Sequence, residues 1–317
     1  MSDLKVRWRL HGDYIEPTTR QRGINIYKQL QSVGIDADAW DGKEAADIIV
    51  LQYTLRNLDT ALETGASVLY DCNDMVFAKH HAYHNDIMEN IHRVHAVVAG
   101  SPRIAQHMSR MHKTVQHIPE AIDDKYAAIK PKTHDGINII WMGMHDNIAY
   151  FEDIDDALIK LSKEYEFTVV FMCPEADGLG RSNRDKVNAK EYHGKFIPWS
   201  FEDVMEQMSI ADIAITPLFQ NEWCWCKCAN KAASFMAARI PTVAPVHPSY
   251  NECIEHGVSG MLAYSCDEWY NSIKQLLKSK TRRKSMSTAG KKGAMRLYNI
   301  ESVGNQWINM LNRIRPV

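Results

Sequence analysis

The stretch NEWCWCKCANKAASFMAARIPTV, residues 221–243, says more about this 317-residue chain than any other. A polar loop with two lysines runs into small residues, Ala229 to Ala238, a composition that predicts a closely packed helix. Ile240-Pro241 stops it, because proline cannot continue a helix. Thr242, Val243 and Ala244 then open a strand. A helix start beside Lys227 and Lys231 gathers free backbone N–H groups, the positive end of the helix dipole and two ammonium groups. Spaced four apart, the lysines share one face if the helix starts early. A diphosphate is the expected occupant.

Working outward, the same strand–helix rhythm fills the chain. In the first part, apolar runs at 5–10, 47–51, 66–70, 96–99 and 115–118 predict strands. Helical spacing separates them at 23–33, 55–63, 87–94 and 103–111. The polar stretch Lys130 to Gly136 holds Pro and Gly and is the best linker. The series then restarts, with strands at 137–142, 167–172, 194–198, 213–217, 242–244 and 260–263. Helices are expected at 154–164, 201–208, 267–277, 281–298 and 301–314, and 174–190 is polar and irregular. The class is α/β, with two Rossmann-like domains of mostly parallel sheet facing a central cleft. Residues 1–130 form the first domain and 136–299 the second. A terminal helix, 300–317, returns to the first. Ligands of such sheets bind outside the carboxyl ends of the strands, which places the lysine segment at the cleft.

The totals narrow the class. A formal net charge of -2 and a pI near 6.7 argue against a global positive field for nucleic acid. No apolar run approaches the roughly 20 residues of a membrane helix. Met1 to Lys5 leads straight into a strand rather than a signal-peptide core. Seven cysteines, an odd number without a disulfide framework, fit a reducing compartment. The expectation is a cytoplasmic protein (the host cytoplasm, if viral).

Several stretches resemble the GT-B glycosyltransferases, specifically their large retaining, family 4-like group. Asn230-Lys231 followed by Phe235 to Val243 is similar to the signature N-K…E-x-M-A-A-G-x-P-V. Ile197-Pro198-Trp199 and Ala211 to Pro217 resemble the nucleotide-side strands. Ile140 to Gly143 resembles the strand and glycine that open the donor domain. Ala96 to Ser101 and Ile118 to Asp123 resemble the end of the acceptor domain. Tyr70 to Asp74 resembles a Y-D-x-D-D stretch of some members, and Ile300 onward, with Trp307, the helix that crosses back. The chain also departs from the pattern. Aligned on Met236, two glutamates of many members fall on Cys226 and Ser234. The helix-ending glycine is Arg239. Met144 to Asn147 stands where many members carry Arg and Lys.

The resemblance implies transfer of a sugar from a nucleoside diphosphate sugar, with UDP the default, to an acceptor hydroxyl. The acceptor is a glycan, a small molecule or a hydroxymethylated base of phage DNA. No cofactor or metal is required. The alternative is a catalytically inactive GT-B-like nucleotide-binding or scaffold protein, which the replaced glutamates suggest.

Roles follow for individual residues. Lys227, Lys231 and Asn230 bind the donor, the lysines stabilising charge on the leaving diphosphate. Gly143, without Cβ, lets a backbone N–H approach a phosphate. Arg20 and Arg22, after the first strand, can chelate phosphate oxygens. Trp199 borders the nucleobase, and Trp223 and Trp225 stack on sugar or base. Asp74 is the candidate base at the acceptor, with Asp71 and Asn73 beside it, although an Asx turn reads equally well. His145 is placed against a phosphate or the transferred sugar. Cys224, Cys226 and Cys228, with His247 and Cys253, have the wrong spacing for zinc pairs and read as thiols. His80, His81 and His84 read as a polar loop. The basic run Lys278 to Lys284, with Lys291 and Lys292, reads as a solvated helix face.

Overall fold

Short apolar runs become parallel strands buried on both faces, as expected where helices cover both sides of a sheet. The computed structural model describes residues 4–14, 16–175 and 182–316, and of His145 the backbone alone. The chain divides into two units. Unit 1 comprises residues 4–123, 225–229 and 297–316; unit 2 comprises 124–224 and 230–296.

Unit 1 holds the strands β1 (Lys5–Arg9), β2 (Asp36–Ala39), β3 (Ile48–Gln52), β4 (Ser67–Cys72), β5 (Ala96–Ala99) and β6 (Val115–His117). Their order is β2-β1-β3-β4-β5-β6 and every pairing is parallel. Successive side chains take opposite faces, so one strand feeds two cores. Ile49 and Leu51 join Val68, Val97 and Ile104 on one side. Ile48 and Val50 join Trp8, Val98 and Trp307 on the other.

The second core is closed by the C-terminal helix Ile300–Ile314, which packs on unit 1. Its buried Val303, Trp307, Met310 and Leu311 form one apolar stripe. The Trp307 ring lies 5.8 Å from that of Trp8. Gly304 permits close approach to the helix Asn25–Ser32: a Cβ there would sit 2.6 Å from Gln29 Cγ.

Unit 2 holds β7 (Asn138–Met142), β8 (Thr168–Cys173), β9 (Gly194–Pro198), β10 (Ile213–Ile215), β11 (Thr242–Pro245) and β12 (Met261–Ala263). The order β12-β11-β10-β7-β8-β9 is the doubly wound arrangement, with its reversal between β7 and β10. One face packs Trp141, Phe151, Leu158, Phe171 and Ile273 into a single core.

Three local expectations change. Arg20 to Gly23 lie in a π-helical turn, Thr18–Ile24, ahead of the α-helix. β2 was not foreseen; it is an edge strand with a single buried side chain, Ala37. The stretch 174–190, read as irregular, contains the helix Asn183–Asn188, and its residues 176–181 lie outside the described residues.

Candidate active site

The reversal of strand order in unit 2 marks where its helices splay apart beyond the carboxyl ends of β7 and β10. Met142-Gly143 leave β7 there, and Thr216 leaves β10. Thr216 is 1% exposed, and its Oγ1 has no hydrogen-bond partner among the described residues. An unsatisfied buried hydroxyl costs on the order of 1–3 kcal/mol, so its presence at a strand end asks for a ligand.

The connection from β10 to β11 carries the helix Asn230–Ala237, whose start therefore lies at this same end of the sheet. Every residue from Ala232 to Ala237 is buried, which explains the small side chains. Asn230 Oδ1 accepts from Ser234 Oγ at 3.2 Å. Lys231 places Nζ 5.9 Å from the centre of the Trp141 ring, at the outer limit of a cation–π contact. The helix closes with Arg239 at φ 64, the left-handed position that usually takes glycine. Ile240 N–H donates to Phe235 O and Arg239 N–H to Met236 O, both at 3.0 Å. The chain thus keeps the glycine-type cap with an arginine in it.

Gly143 serves a different purpose from the one expected. Its N–H already donates to Met172 O at 3.0 Å, so that amide is not offered to a phosphate. A Cβ on Gly143 would collide with the Trp141 indole, and this contact accounts for the missing side chain. Trp199 follows β9, half-buried, its ring 4.9 Å from Phe201 and nearly edge-on. Trp223 is half-buried in the short helix Glu222–Trp225. The His145 backbone begins the 3-10 segment His145–Asp153, directly after β7; its side chain lies outside the described residues. His247 is spent on structure. Its Nδ1 accepts from Ser249 N–H, so Nε2 carries the proton and donates to Cys224 O at 2.6 Å. Burial holds its pKa below the usual imidazole value.

A cavity of about 720 Å³ also opens within unit 2, lined by Asn138, Tyr165, Phe167, Thr168 and Tyr192. It lies at the amino ends of β7 and β8, whereas ligands of such sheets bind outside the carboxyl ends.

Unit 1 gathers its polar side chains at the carboxyl ends of its own strands. Arg22 and Asp71 are both 0% exposed and joined at 2.5 Å, and Arg22 Nη1 donates to Ile118 O at 2.7 Å. Arg20, 2% exposed, donates to Asp123 at 3.0 Å and to Tyr14 O. Both guanidinium groups are therefore taken up inside unit 1, a correction to their expected role as phosphate chelators.

Lys227 also departs from expectation. It lies between the two helices, so it shares no helix face with Lys231, and the segment Trp225–Ala229 belongs to unit 1. Its ammonium grips Asp74, at 2.8 Å to Oδ2 and 3.1 Å to Oδ1. The candidate base and a candidate phosphate ligand thus neutralise each other. The rest of the segment is anchored too. Cys226 O accepts from Ser101 Oγ at 2.8 Å, Cys228 Sγ donates to Glu120 at 3.1 Å, and the Arg103 guanidinium sits 6.0 Å from the Trp225 ring.

Sequence reading missed a cluster at the ends of β1 and β3. His11 stacks on Tyr53 with centroids 4.3 Å apart, and Tyr83 stands edge-on to both. Tyr53 holds φ 68, a strained left-handed backbone for a bulky residue. The Glu120 carboxylate, buried near Asn73 and Cys228, was missed as well. No local pattern announces either, because their partners are distant in sequence.

Residues 136–279 match the model of a family described as glycosyl transferases group 1. A sequence comparison with curated proteins gave no match. Among solved structures, the chain is similar to Anabaena HepE in complex with UDP, at 13% identity and a TM-score of 0.74, covering 98% of this chain and 100% of that one. It is similar to a glycosyltransferase from Rickettsia africae, at 11% identity and a TM-score of 0.78, covering 98% and 99%. It also resembles sucrose-phosphate synthase from Thermosynechococcus elongatus, at 12% and 0.70, covering 97% and 98%. Identities this low speak for the fold. Together, the match of residues 136–279 to that family and the likeness to these structures show that the chain has the GT-B fold of two Rossmann-like domains.

Proposed function

We propose that the protein moves a sugar from a nucleoside diphosphate sugar, with UDP as the nucleotide, to an acceptor hydroxyl. One observation carries this reading: the start of the helix Asn230–Ala237, with Lys231, lies at the same sheet end as the buried, unpartnered Thr216 hydroxyl. Helix N–H groups, an ammonium and a hydroxyl are what a pyrophosphate needs. Similar structures bound to UDP and to UDP-glucose support the choice of donor.

When the bond from the anomeric carbon breaks, its electron pair passes to the terminal phosphate oxygen of the leaving UDP. Lys231 and the helix dipole stabilise that charge more than they stabilise the intact donor, which lowers the barrier. This arrangement calls for no divalent metal. We assign Trp199 to the nucleobase and Trp223 to the sugar, both half-buried, and His145 to the transferred sugar or a phosphate. In unit 1 we assign the Asp74–Lys227 pair to the acceptor, the carboxylate accepting from the incoming hydroxyl, with Trp225 beside it. The acceptor is a glycan, a small molecule or a hydroxymethylated DNA base. Among the described residues, no helix is long and apolar enough to cross a membrane. Seven free cysteines suit the cytoplasm.

The test is a thermal-shift screen over UDP-, GDP- and ADP-sugars, followed by measurement of free UDP. Donor at about 100 times its Kd raises native stability by roughly 2.7 kcal/mol. If no nucleotide sugar shifts the melting temperature, the assignment is lost. A second reading, a nucleotide binder without transfer, is favoured by Cys226 and Ser234. Both are buried and neither offers a carboxylate where many relatives carry glutamate. Binding of UDP-sugar without release of UDP, with or without acceptors, would decide for it.

A further inference from the structure

The helix Lys280–Tyr298, which belongs to unit 2 as far as Arg296, breaks the charge rules that its neighbours obey. Helix Cys266–Lys278 opens with Asp267, Glu268 and a capping box and ends on Lys278. Helices Asp155–Ser162 and Phe201–Ser209 also place acids in their first turns. Such placement complements the dipole. Lys280–Tyr298 instead opens on Lys280, Arg282 and Arg283 and has no acid in its first turn. From Trp269 to Ile300 the sequence contains nine lysines and arginines and no aspartate or glutamate, in a chain of net charge -2.

Three of the nine have internal partners. Lys274 reaches Glu164 at 2.6 Å, Arg283 reaches Asp212 at 3.3 Å, and Lys291 donates to Ala127 O. The exposed face keeps Lys280, Lys284, Lys292 and Arg296, with Thr281, Ser285 and Thr288 between them. Each step of four turns by about 40°, so the cations form a row that winds across the exposed half of the helix over about 24 Å. Like charges four apart destabilise a helix by a few tenths of a kcal/mol per pair, and cations at its start add to the cost. A surface that carries this cost along one extended row fits a linear polyanion.

We propose that this face docks on the phosphate backbone of a nucleic acid duplex, independently of base sequence. Lysine, arginine, serine and threonine are the side chains that contact phosphate oxygens. The face exposes no apolar or aromatic side chain, which a bilayer interface or stacking on single-stranded bases would use. The inference does not rest on the sugar-transfer reading.

The test is fluorescence anisotropy with a labelled, unmodified DNA duplex of about 20 base pairs. Four phosphate contacts give a slope of about -3.6 in log affinity against log salt, or roughly a 150-fold loss between 50 and 200 mM. The variant Lys280→Gln, Lys284→Gln, Lys292→Gln, Arg296→Gln should lose that binding with a melting temperature no lower than that of the parent protein. Lys284→Gln alone should lower the slope by about 0.9. Duplex binding unchanged in the quadruple variant would overturn the proposal. So would no duplex binding at about 50 mM salt, or equal binding to poly-glutamate. So would binding to phosphatidylcholine–phosphatidylglycerol vesicles in place of DNA.

Discussion

Replacing Lys231 by alanine separates a chemical role from a structural one. The side chain is half-buried, and its visible aromatic contact, 5.9 Å from the Trp141 ring centre, is a long one. A cation–π contact at a partly exposed site contributes about 0.5–1 kcal/mol, so the folded state should lose no more than that. The effect on turnover should be much larger. A unit charge about 4 Å from a developing phosphate charge, at an effective dielectric of about 20, interacts by about 4 kcal/mol. That corresponds to roughly a thousandfold in rate. The assay is UDP release from the UDP-sugar that gives the largest thermal shift, with urea unfolding of both proteins. Lys231→Ala should fall 10²- to 10³-fold in kcat, while Lys231→Arg keeps part of the activity. A folded alanine variant with wild-type turnover at saturating donor would refute the assignment of Lys231 to the leaving group.

Three further outcomes are expected. Asp71→Ala leaves the fully buried Arg22 guanidinium without its carboxylate and should cost about 3–5 kcal/mol in urea unfolding, whatever the activity. Arg239→Gly should stabilise unit 2 by about 0.5–1 kcal/mol, because glycine removes the left-handed penalty and returns part of the gain as chain entropy; a lower melting temperature would contradict this. Burial, aided by nearby Arg22, pushes the His117 pKa down from 6.5 to about 4. The unfolded chain therefore binds a proton that the folded chain refuses between those values. Stability from this group is complete above pH 6.5 and falls by up to about 3 kcal/mol as pH drops to 4. His117→Gln should flatten that part of the pH–stability curve.

The fold was legible wherever burial was uniform. Ile48 to Leu51 reads as a parallel strand because both faces are covered. Val303, Trp307 and Leu311 give the last helix its apolar stripe, and its return to the first domain came from the resemblance of the stretch from Ile300 onward. β2 was hidden because DADA offers a single alanine to the core. The π-helical turn was hidden because its burial depends on partners far along the chain: Asp71 lies 49 residues from Arg22, and Asp123 lies 103 from Arg20. Composition shows two arginines near a helix start and cannot show what they hold. Lys231 could be placed on the helix Asn230–Ala237 because the small-residue run marks its start. Lys227 could not, since four-residue spacing has meaning only inside a helix, and Asp74 is 153 residues away.

Unit 1 is assembled from pieces that leave the ribosome at very different times. Leu4, Val6 and Trp8 are covered by Trp307, Met310 and Leu311. At about 5–20 residues per second, the nearly 190 residues between Asp123 and Leu311 take roughly ten to forty seconds to make. Throughout that interval one side of the newborn sheet lacks part of its cover and leaves apolar surface open to neighbouring chains.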